Sequence, residues 1–214
     1  SGSVELRNVT FGYGDKPVLV DIAFRARPGT VTAIVGPSGS GKTTIARLIS
    51  RFWDVDSGAV MVDGVDIREL GTEQLMSRLS MVFQDVYLFD DSLIANIRVG
   101  RPDASDEEVF RAADLSGVTS IANRLGWHTP VGEGGRLLSG GERQRVSVAR
   151  ALLKQAPIVL FDEATSALDA ENEANILAAM DELREQSTFI VIAHKLDTIK
   201  SADQIVVLDE HGQV

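Results

Sequence analysis

The sequence predicts an α/β fold with a mixed, mainly parallel β-sheet. Four short runs of β-branched or apolar residues are typical of parallel strands that are buried on both faces. These runs are residues 31–35, 81–83, 158–161 and 189–193. Two longer N-terminal runs, 4–11 and 18–26, flank a Gly-Tyr-Gly-Asp turn and predict a separate antiparallel β layer. From about residue 92 to 126 the pattern becomes helical, including a helix over 106–115 with Ser105 as its N-cap.

Polar or glycine-rich residues follow each of the four buried runs. They are, in chain order, Gly36, Gln84, the pair Asp162 and Glu163, and His194. Ligands of open α/β sheets bind just beyond the carboxyl ends of the strands. We therefore expect these residues to meet at one site.

The chain has 214 residues, 44% of them hydrophobic, which is enough to bury a substantial core as one domain. We expect a core with its β layer at about residues 1–83 and 156–214, and an inserted helical subdomain at about 84–155. A helix over 141–154 is predicted to lead back from the subdomain into the core.

The composition argues against several classes of partner. The net charge is −10 and there is no long basic run, so neither nucleic acid nor anionic lipid is an expected partner. No apolar stretch approaches the roughly 20 residues of a membrane-spanning helix, so we expect no insertion of this chain into lipid. The absence of cysteine excludes a disulfide framework and a thiolate metal site, and it suits a cytosolic protein.

Residues 36–44 read Gly-Pro-Ser-Gly-Ser-Gly-Lys-Thr-Thr and fit the phosphate-loop pattern G-x-x-x-x-G-K-T. The loop lies between the run 31–35 and a predicted helix at 45–50, where backbone N–H groups and the helix N-terminus favour phosphate. A simple glycine-rich turn is the alternative, and the strand-loop-helix context argues against it. Lys42 is predicted to reach the β- and γ-phosphates and Thr43 to ligate Mg²⁺. The other candidate contacts are Gly36, Ser38, Gly39, Ser40, Gly41 and Thr44.

Two carboxylates end the buried run at 158–161, where ionised groups are costly unless a cation or a proton transfer uses them. Asp162 is a candidate Mg²⁺ ligand, directly or through water, and Glu163 a candidate base that orients and deprotonates the attacking water. A capping or surface role is the alternative for this pair. His194 is predicted to face the γ-phosphate, although a lone histidine is more often structural. Gln84 offers an amide oxygen to Mg²⁺ or water.

A further motif, Leu138-Ser-Gly-Gly-Glu142, resembles the signature sequence of ABC ATPases. The resemblance covers essentially the whole chain. Tyr13 is similar to the aromatic residue that stacks on adenine, Gln84 to the Q-loop, residues 166–169 to the D-loop and His194 to the switch histidine. The resemblance implies the ABC ATPase fold, with ATP and Mg²⁺ as cofactors and ATP hydrolysis as the activity.

In this family two nucleotide-binding domains form a head-to-tail dimer, and the resemblance implies that each ATP is enclosed by the phosphate loop of one and the signature of the other. The partner is either a second copy or a different subunit. A helix cap and turn is the alternative for the signature motif, and a surface aromatic is the alternative for Tyr13. The residues implied to contact ATP across the dimer are Ser139, Gly140, Gly141, Glu142 and Asp169.

Glu142 departs from the family, which more often has Gln at this position. The carboxylate adds negative charge near a polyphosphate, and two outcomes are open: the charge slows assembly of the dimer, or Arg143 or Arg145 offsets it. We expect the site to hydrolyse ATP despite this change.

Two segments, 95–102 and 130–135, resemble exporter-type ABC proteins and imply a transmembrane-domain partner. The apolar residues 87–89 are a candidate groove for a coupling helix of that partner, with core packing as the alternative. Residues 84–91 also resemble a subgroup of exporter-fold proteins that import iron siderophores. The implied location is the cytoplasmic face of a bacterial inner membrane.

Three other functions fit the sequence less well. ABC ATPases of DNA repair carry a long coiled coil between phosphate loop and signature, which this sequence lacks, and the exporter-like segments also argue against a translation factor. A regulatory module without catalysis would lack Glu163 or His194, and both are present. A phosphate-loop kinase would leave the signature unexplained.

Overall fold

The computed structural model describes residues 2–82, 87–163 and 170–214. The strands are β1 (Val4–Gly12), β2 (Pro17–Ala26), β3 (Val31–Val35), β4 (Ser57–Val62), β5 (Val65–Asp66), β6 (Leu79–Val82), β7 (Ile158–Asp162), β8 (Thr188–Ile192) and β9 (Gln204–Val207). The α-helices are α1 (Lys42–Ile49), α2 (Thr72–Ser77), α3 (Leu93–Arg98), α4 (Asp106–Ser116), α5 (Thr119–Leu125), α6 (Gly140–Lys154), α7 (Ala170–Leu183) and α8 (Leu196–Ser201). Short 3₁₀ turns occupy Ile67–Glu69 and Glu133–Gly135.

The described residues form two compact units. The first contains residues up to 79, the segment from 157 through β7, and residues from 184 onward, while the second contains residues 80–156 and α7. The division at about residues 84 and 155 that the sequence predicts for a core and an inserted helical subdomain stays a prediction.

The first sheet is antiparallel, with strand order β2-β1-β4-β5. Alternate residues of β1, such as Val4 and Leu6, are buried, while Arg7 and Asn8 are exposed. Shifts in the pairing of β1 with β2 place bulges along the strand. This alternation is typical of a sheet with one face on the core. The predicted antiparallel layer is confirmed.

The second sheet has the order β6-β7-β8-β3-β9, and its pairs β7–β8, β8–β3 and β3–β9 are parallel. Every residue of β7 and β8 is buried, as expected for strands covered on both faces. The parallel strands predicted at 31–35, 158–161 and 189–193 are therefore confirmed. The run predicted at 81–83 corresponds to β6, which begins two residues earlier, and Phe83 lies outside the described residues.

Helix ends follow local capping chemistry. Ser105 caps α4, as predicted, and its side chain and that of Glu108 bond each other's backbone N–H groups. Gly117 ends α4 in the left-handed conformation. Helix α1 begins three residues earlier than predicted, because the phosphate loop runs directly into it.

The second unit is mainly helical. Helix α6 packs against α3 and α4, and α4 packs against α7, where Arg111 and Glu182 form an ion pair. In the part of the chain that the structure describes, we find no helix with both the length and the apolarity required to cross a membrane.

Candidate active site

The ends of three neighbouring parallel strands are aligned in the first unit. Asp162 of β7 pairs with Ile192 of β8, and Ile192 pairs with Ile34 of β3. The N–H of Ala193 donates to the carbonyl of Ile34 at 2.9 Å, which continues this row to the edge of the sheet. The strand register thus brings the residues that follow, Glu163, His194 and the phosphate loop, to one edge.

The phosphate loop connects β3 to α1 and requires glycine at two points. Gly41 has a φ of 97°, and a Cβ there would lie 2.7 Å from Leu19 Cδ2. A Cβ on Gly36 would lie 2.7 Å from the carbonyl oxygen of Leu208. Ser38 and Gly39 are exposed at the loop tip. No side chain among the described residues caps the N-terminus of α1, so its first N–H groups suit an anion.

The hydrogen bonding of three side chains in the loop indicates a ligand that carries oxygen atoms. The Nζ of Lys42 donates to the carbonyl of Gly36 at 2.5 Å, which holds the ammonium group against the loop. The Oγ of Ser40 is buried and has no hydrogen-bond partner among the described residues, and such groups are rare in proteins unless a ligand or water satisfies them. Thr43 Oγ1 donates to Asp162 Oδ2 at 3.5 Å. A hydroxyl beside a carboxylate fits the oxygen ligands that Mg²⁺ prefers.

The acidic pair is buried, with Asp162 5% exposed and Glu163 6% exposed. Glu163 is held by the segment after β8. Its Oε1 accepts from the N–H groups of His194 at 2.9 Å and Lys195 at 2.8 Å, and its Oε2 accepts from Thr198 Oγ1 at 2.5 Å. The imidazole of His194 is on an exposed residue at this edge.

Tyr13 lies beside the start of α1. Its hydroxyl is 3.1 Å from Thr44 Oγ1, and its ring makes edge-to-face contacts with Phe11 and Trp53 at centroid distances of 4.9 and 5.6 Å. About half of its surface remains exposed. The structure therefore places an aromatic surface next to the phosphate loop.

The signature motif lies in the second unit, at the start of α6. Ser139 is the N-cap: its Oγ accepts from the N–H of Glu142 at 3.1 Å, and Glu142 Oε1 accepts from the N–H of Ser139 at 2.9 Å. Leu138 and Gly141 are buried, whereas Ser139 and Gly140 are exposed. The motif is therefore both a helix cap and an accessible surface.

The charge partner of Glu142 differs from the prediction. Arg124 on α5 donates to Glu142 Oε2 at 2.6 Å. Arg143 donates instead to the carbonyl of Leu138 and Arg145 to that of Gly117, so the prediction of Arg143 or Arg145 was wrong. Neighbouring residues on a helix point in different directions, and a residue of another helix reaches the carboxylate. Burial raises the pKa of Glu142, but the Ser139 N–H and Arg124 outweigh burial and the pKa lies below its usual value.

Residues 87–89, the candidate groove for a coupling helix, are partly exposed and partly buried. Tyr87 and Phe89 are 60% and 49% exposed, and their rings contact edge to face at 5.3 Å. Leu88 between them is fully buried, so the expectation of core packing applies to it alone. Segment 130–135 lies beside this turn, because Asp90 Oδ1 accepts from the N–H of Gly132 at 3.1 Å.

Two predicted site residues, Gln84 and Asp169, lie outside the described residues, together with the rest of segment 166–169. Sequence reasoning missed Thr198 and Arg124. Both act through tertiary contacts with residues 35 and 18 positions away, and no local pattern marks them.

Comparison with known proteins places the sequence in a large group. Residues 19–166 match the family model described as ABC transporter. The chain is 48% identical over 213 residues to the β-(1→2)glucan export ATP-binding/permease protein NdvA of Agrobacterium fabrum, covering 98% of this chain and 36% of that protein. It is 50% identical over 208 residues to the mycobactin import ATP-binding/permease protein IrtB of Mycolicibacterium smegmatis, covering 96% of this chain and 36% of that protein.

The fold is also similar to that of a bacterial Atm1-family ABC exporter solved with ATP bound. The TM-score is 0.92 at 46% sequence identity, over 100% of this chain and 38% of that one. The chain thus spans little more than a third of the length of these relatives. Given the match of the family model over most of its length, the chain belongs to the ABC transporter family.

Proposed function

We propose that this chain binds ATP with Mg²⁺ and hydrolyses it, as the ATP-binding part of a longer membrane transporter. The observation that carries the proposal is the convergence of the phosphate loop, Asp162 and Glu163 at one edge of the parallel sheet. The loop N–H groups and Lys42 bind the phosphates, and Tyr13 stacks on adenine. The contacts of Ser38, Ser40 and Thr44 complete the candidate nucleotide site.

Thr43 and Asp162, with Gln84, would hold the metal. The chemistry that Mg²⁺ supplies when bound is neutralisation of charge on the phosphate oxygens. Glu163 orients the attacking water and accepts its proton, and His194 helps to hold water and γ-phosphate in line.

We also propose that the site is completed by a partner nucleotide-binding domain, a second copy or a different subunit. Exposed Ser139 and Gly140 at the start of α6 support this, because a helix N-terminus with a free surface suits a γ-phosphate. The Oγ of Ser139 accepts a bond from Glu142, which leaves its proton for donation to phosphate. Gly141, Glu142 and Asp169 belong to the same proposed contact.

The exposed rings of Tyr87 and Phe89 are the proposed docking surface for a coupling helix of the transmembrane part. ATP binding closes the dimer, closure moves the coupling surfaces, and hydrolysis reopens it. Two relatives of nearly equal identity are named for export of a glucan and import of a mycobactin. Sequence identity over this chain therefore determines neither the transported molecule nor the direction of transport. Iron-siderophore uptake stays a prediction. The location at the cytoplasmic face of a bacterial inner membrane also stays a prediction.

The test is Glu163→Gln in the full-length protein. Loss of a general base should lower kcat for ATP hydrolysis by about 100-fold or more and leave ATP affinity nearly unchanged. Glu185→Gln, the same change on an exposed residue of the same unit, is the matched control and should retain wild-type turnover. Turnover by Glu163→Gln at the rate of this control would refute the assignment.

A further inference from the structure

Thr198 makes a buried contact with the candidate base that no motif accounts for. It lies on α8 and is fully buried, and its Oγ1 donates to Glu163 Oε2 at 2.5 Å. Glu163 is itself only 6% exposed. The hydroxyl therefore bonds a carboxylate that bulk water reaches very little, where each donor has a large effect on orientation.

The acceptor positions of Glu163 are nearly all used. A carboxylate offers about four lone-pair positions on its two oxygens. Oε1 accepts from two backbone N–H groups, those of His194 and Lys195, and Oε2 accepts from Thr198. With respect to the residues that the structure describes, one position remains, and it belongs to Oε2 beside the bond from Thr198.

We propose that Thr198 is a positioning residue for ATP hydrolysis, whose hydroxyl fixes the Glu163 carboxylate so that the remaining lone pair of Oε2 receives the attacking water. The inference rests on the proposed role of Glu163 as the base. The two backbone donors fix Oε1 and already limit rotation of the carboxylate about its last side-chain bond. Among the described residues, Thr198 is the donor to Oε2, so its hydroxyl fixes the position of the second oxygen.

The proposal predicts that the Thr198 hydroxyl affects the rate of ATP hydrolysis but not the affinity for ATP. Thr198 bonds Glu163 through its hydroxyl and Ser201 through its carbonyl, and neither contact involves the phosphate loop. Removing the hydroxyl should therefore misplace the base without weakening ATP binding. Misplacement of a reacting group by about 1 Å can lower a rate by about 100-fold.

The experiment uses the full-length protein with Thr198→Val, which keeps the shape and removes the donor, and Thr198→Ser, which keeps the donor. We expect Thr198→Val to lower kcat by about 10- to 100-fold with KM for ATP within about twofold. Thr198→Ser should restore kcat to within about threefold of wild type, since its hydroxyl can reach the same oxygen.

Each outcome decides between roles. Wild-type turnover by folded Thr198→Val overturns the proposal. A loss of kcat in Thr198→Val that Thr198→Ser shares equally, or that comes with an equal loss of ATP affinity, shows a packing role and also overturns it. If Thr198→Val does not fold, Thr198→Ala replaces it as the variant without a donor, and low turnover of well-folded Thr198→Ser alone is sufficient to refute the proposal. Turnover by Glu163→Gln would instead reject the proposed function, whatever Thr198 does.

Discussion

The Glu142 side chain both caps helix α6 and forms an ion pair. Its two oxygens are used separately, one for the N–H of Ser139 and the other for Arg124. The capping bond would be available to glutamine as well, whereas the ion pair requires the carboxylate. The negative charge that departs from the common family residue is therefore compensated inside the chain, beside the signature serine.

This arrangement predicts a pH-dependent contribution to stability. The pKa of Glu142 is lowered in the folded protein, so its stabilisation is complete above the unfolded pKa of about 4.5 and is lost as the pH falls through the folded value. At pH 7 we expect wild type to be more stable than Glu142→Gln by about 0.5 to 1 kcal/mol, a small figure because solvent screens the exposed Arg124. Chemical unfolding at pH 7 and below pH 4 measures the difference, which should shrink at the lower pH.

A matched variant tests the cause. Arg124→Gln removes the partner and keeps the capping bond, so Glu142→Gln added to it should cost little at pH 7. A difference between wild type and Glu142→Gln that is the same at both pH values would contradict the ion-pair explanation.

Site residues that follow strands could be predicted from the sequence. Residues that contact the site from a distant part of the sequence could not. Gly36, which begins the phosphate loop, and the pair Asp162 and Glu163 each follow a buried apolar run directly, and the parallel register brings these segments to one edge. Thr198 and Arg124 reach their carboxylates through helices whose placement depends on packing. A serine or threonine on a short helix has no distinguishing local pattern, so only the fold reveals its partner.

At the scale of elements, α6 contacts two segments of the second unit to which functions are proposed. Its N-cap is Ser139, and near its other end Arg150 donates to the carbonyl of Tyr87 at 2.8 Å and to the carbonyl of Asn96 at 2.7 Å. The guanidinium also bonds the Asn96 side chain and lies 5.9 Å from the centre of the Phe89 ring. One rigid helix thus connects the signature serine with the turn that presents Tyr87 and Phe89.

Arg150→Lys should loosen this turn. Burial lowers the pKa of Arg150, which is the mark of a cation removed from water, and a lysine has no planar fork to reach three acceptors together. The carbonyls left without a donor should cost about 1 to 3 kcal/mol in the free energy of unfolding. Chemical unfolding of the full-length protein measures the loss.

Arg136→Lys is the control, because Arg136 is exposed in the same unit and the substitution should change stability by less than about 0.5 kcal/mol. Equal stability of the two variants would show that the contacts of Arg150 do not hold the turn.

Helix caps and parallel strands were predictable because they depend on neighbouring residues. Ser105 and Glu108 mark the start of α4 by themselves. The edge strand β9 was missed, although Ile205, Val206 and Val207 form a β-branched run that could have been found. Its outer residues are exposed, so its burial does not resemble that of the central strands.

At the scale of the whole molecule, the two units carry different sets of proposed ATP contacts. The first unit assembles the phosphate loop with Asp162 and Glu163, and the second presents Ser139 at an exposed helix start. The proposal that ATP is held by the first unit of one copy and the second unit of another follows from the family and predicts a specific pattern of complementation.

The pattern can be measured with two differently tagged copies of the full-length protein, for the case in which the partner is a second copy of this chain. A Glu163→Gln background prevents turnover and retains bound ATP. Lys42→Ala and Ser139→Ala each damage both sites of a homodimer. A mixed dimer instead has one site with both defects and one site with neither, because the intact Lys42 and the intact Ser139 come from opposite copies.

We therefore expect the mixed dimer to retain about one ATP per dimer after gel filtration and either homodimer to retain almost none. Lys42→Ala mixed with Asp162→Asn is the control, since both defects then lie on the phosphate-loop side and every site keeps one of them. If Ser139 served the site of its own chain, the Lys42→Ala and Ser139→Ala mixture would have no intact site and would behave like the control. If the Lys42→Ala and Ser139→Ala mixture retains ATP and the control mixture does not, each signature motif must contact the ATP bound by the other copy.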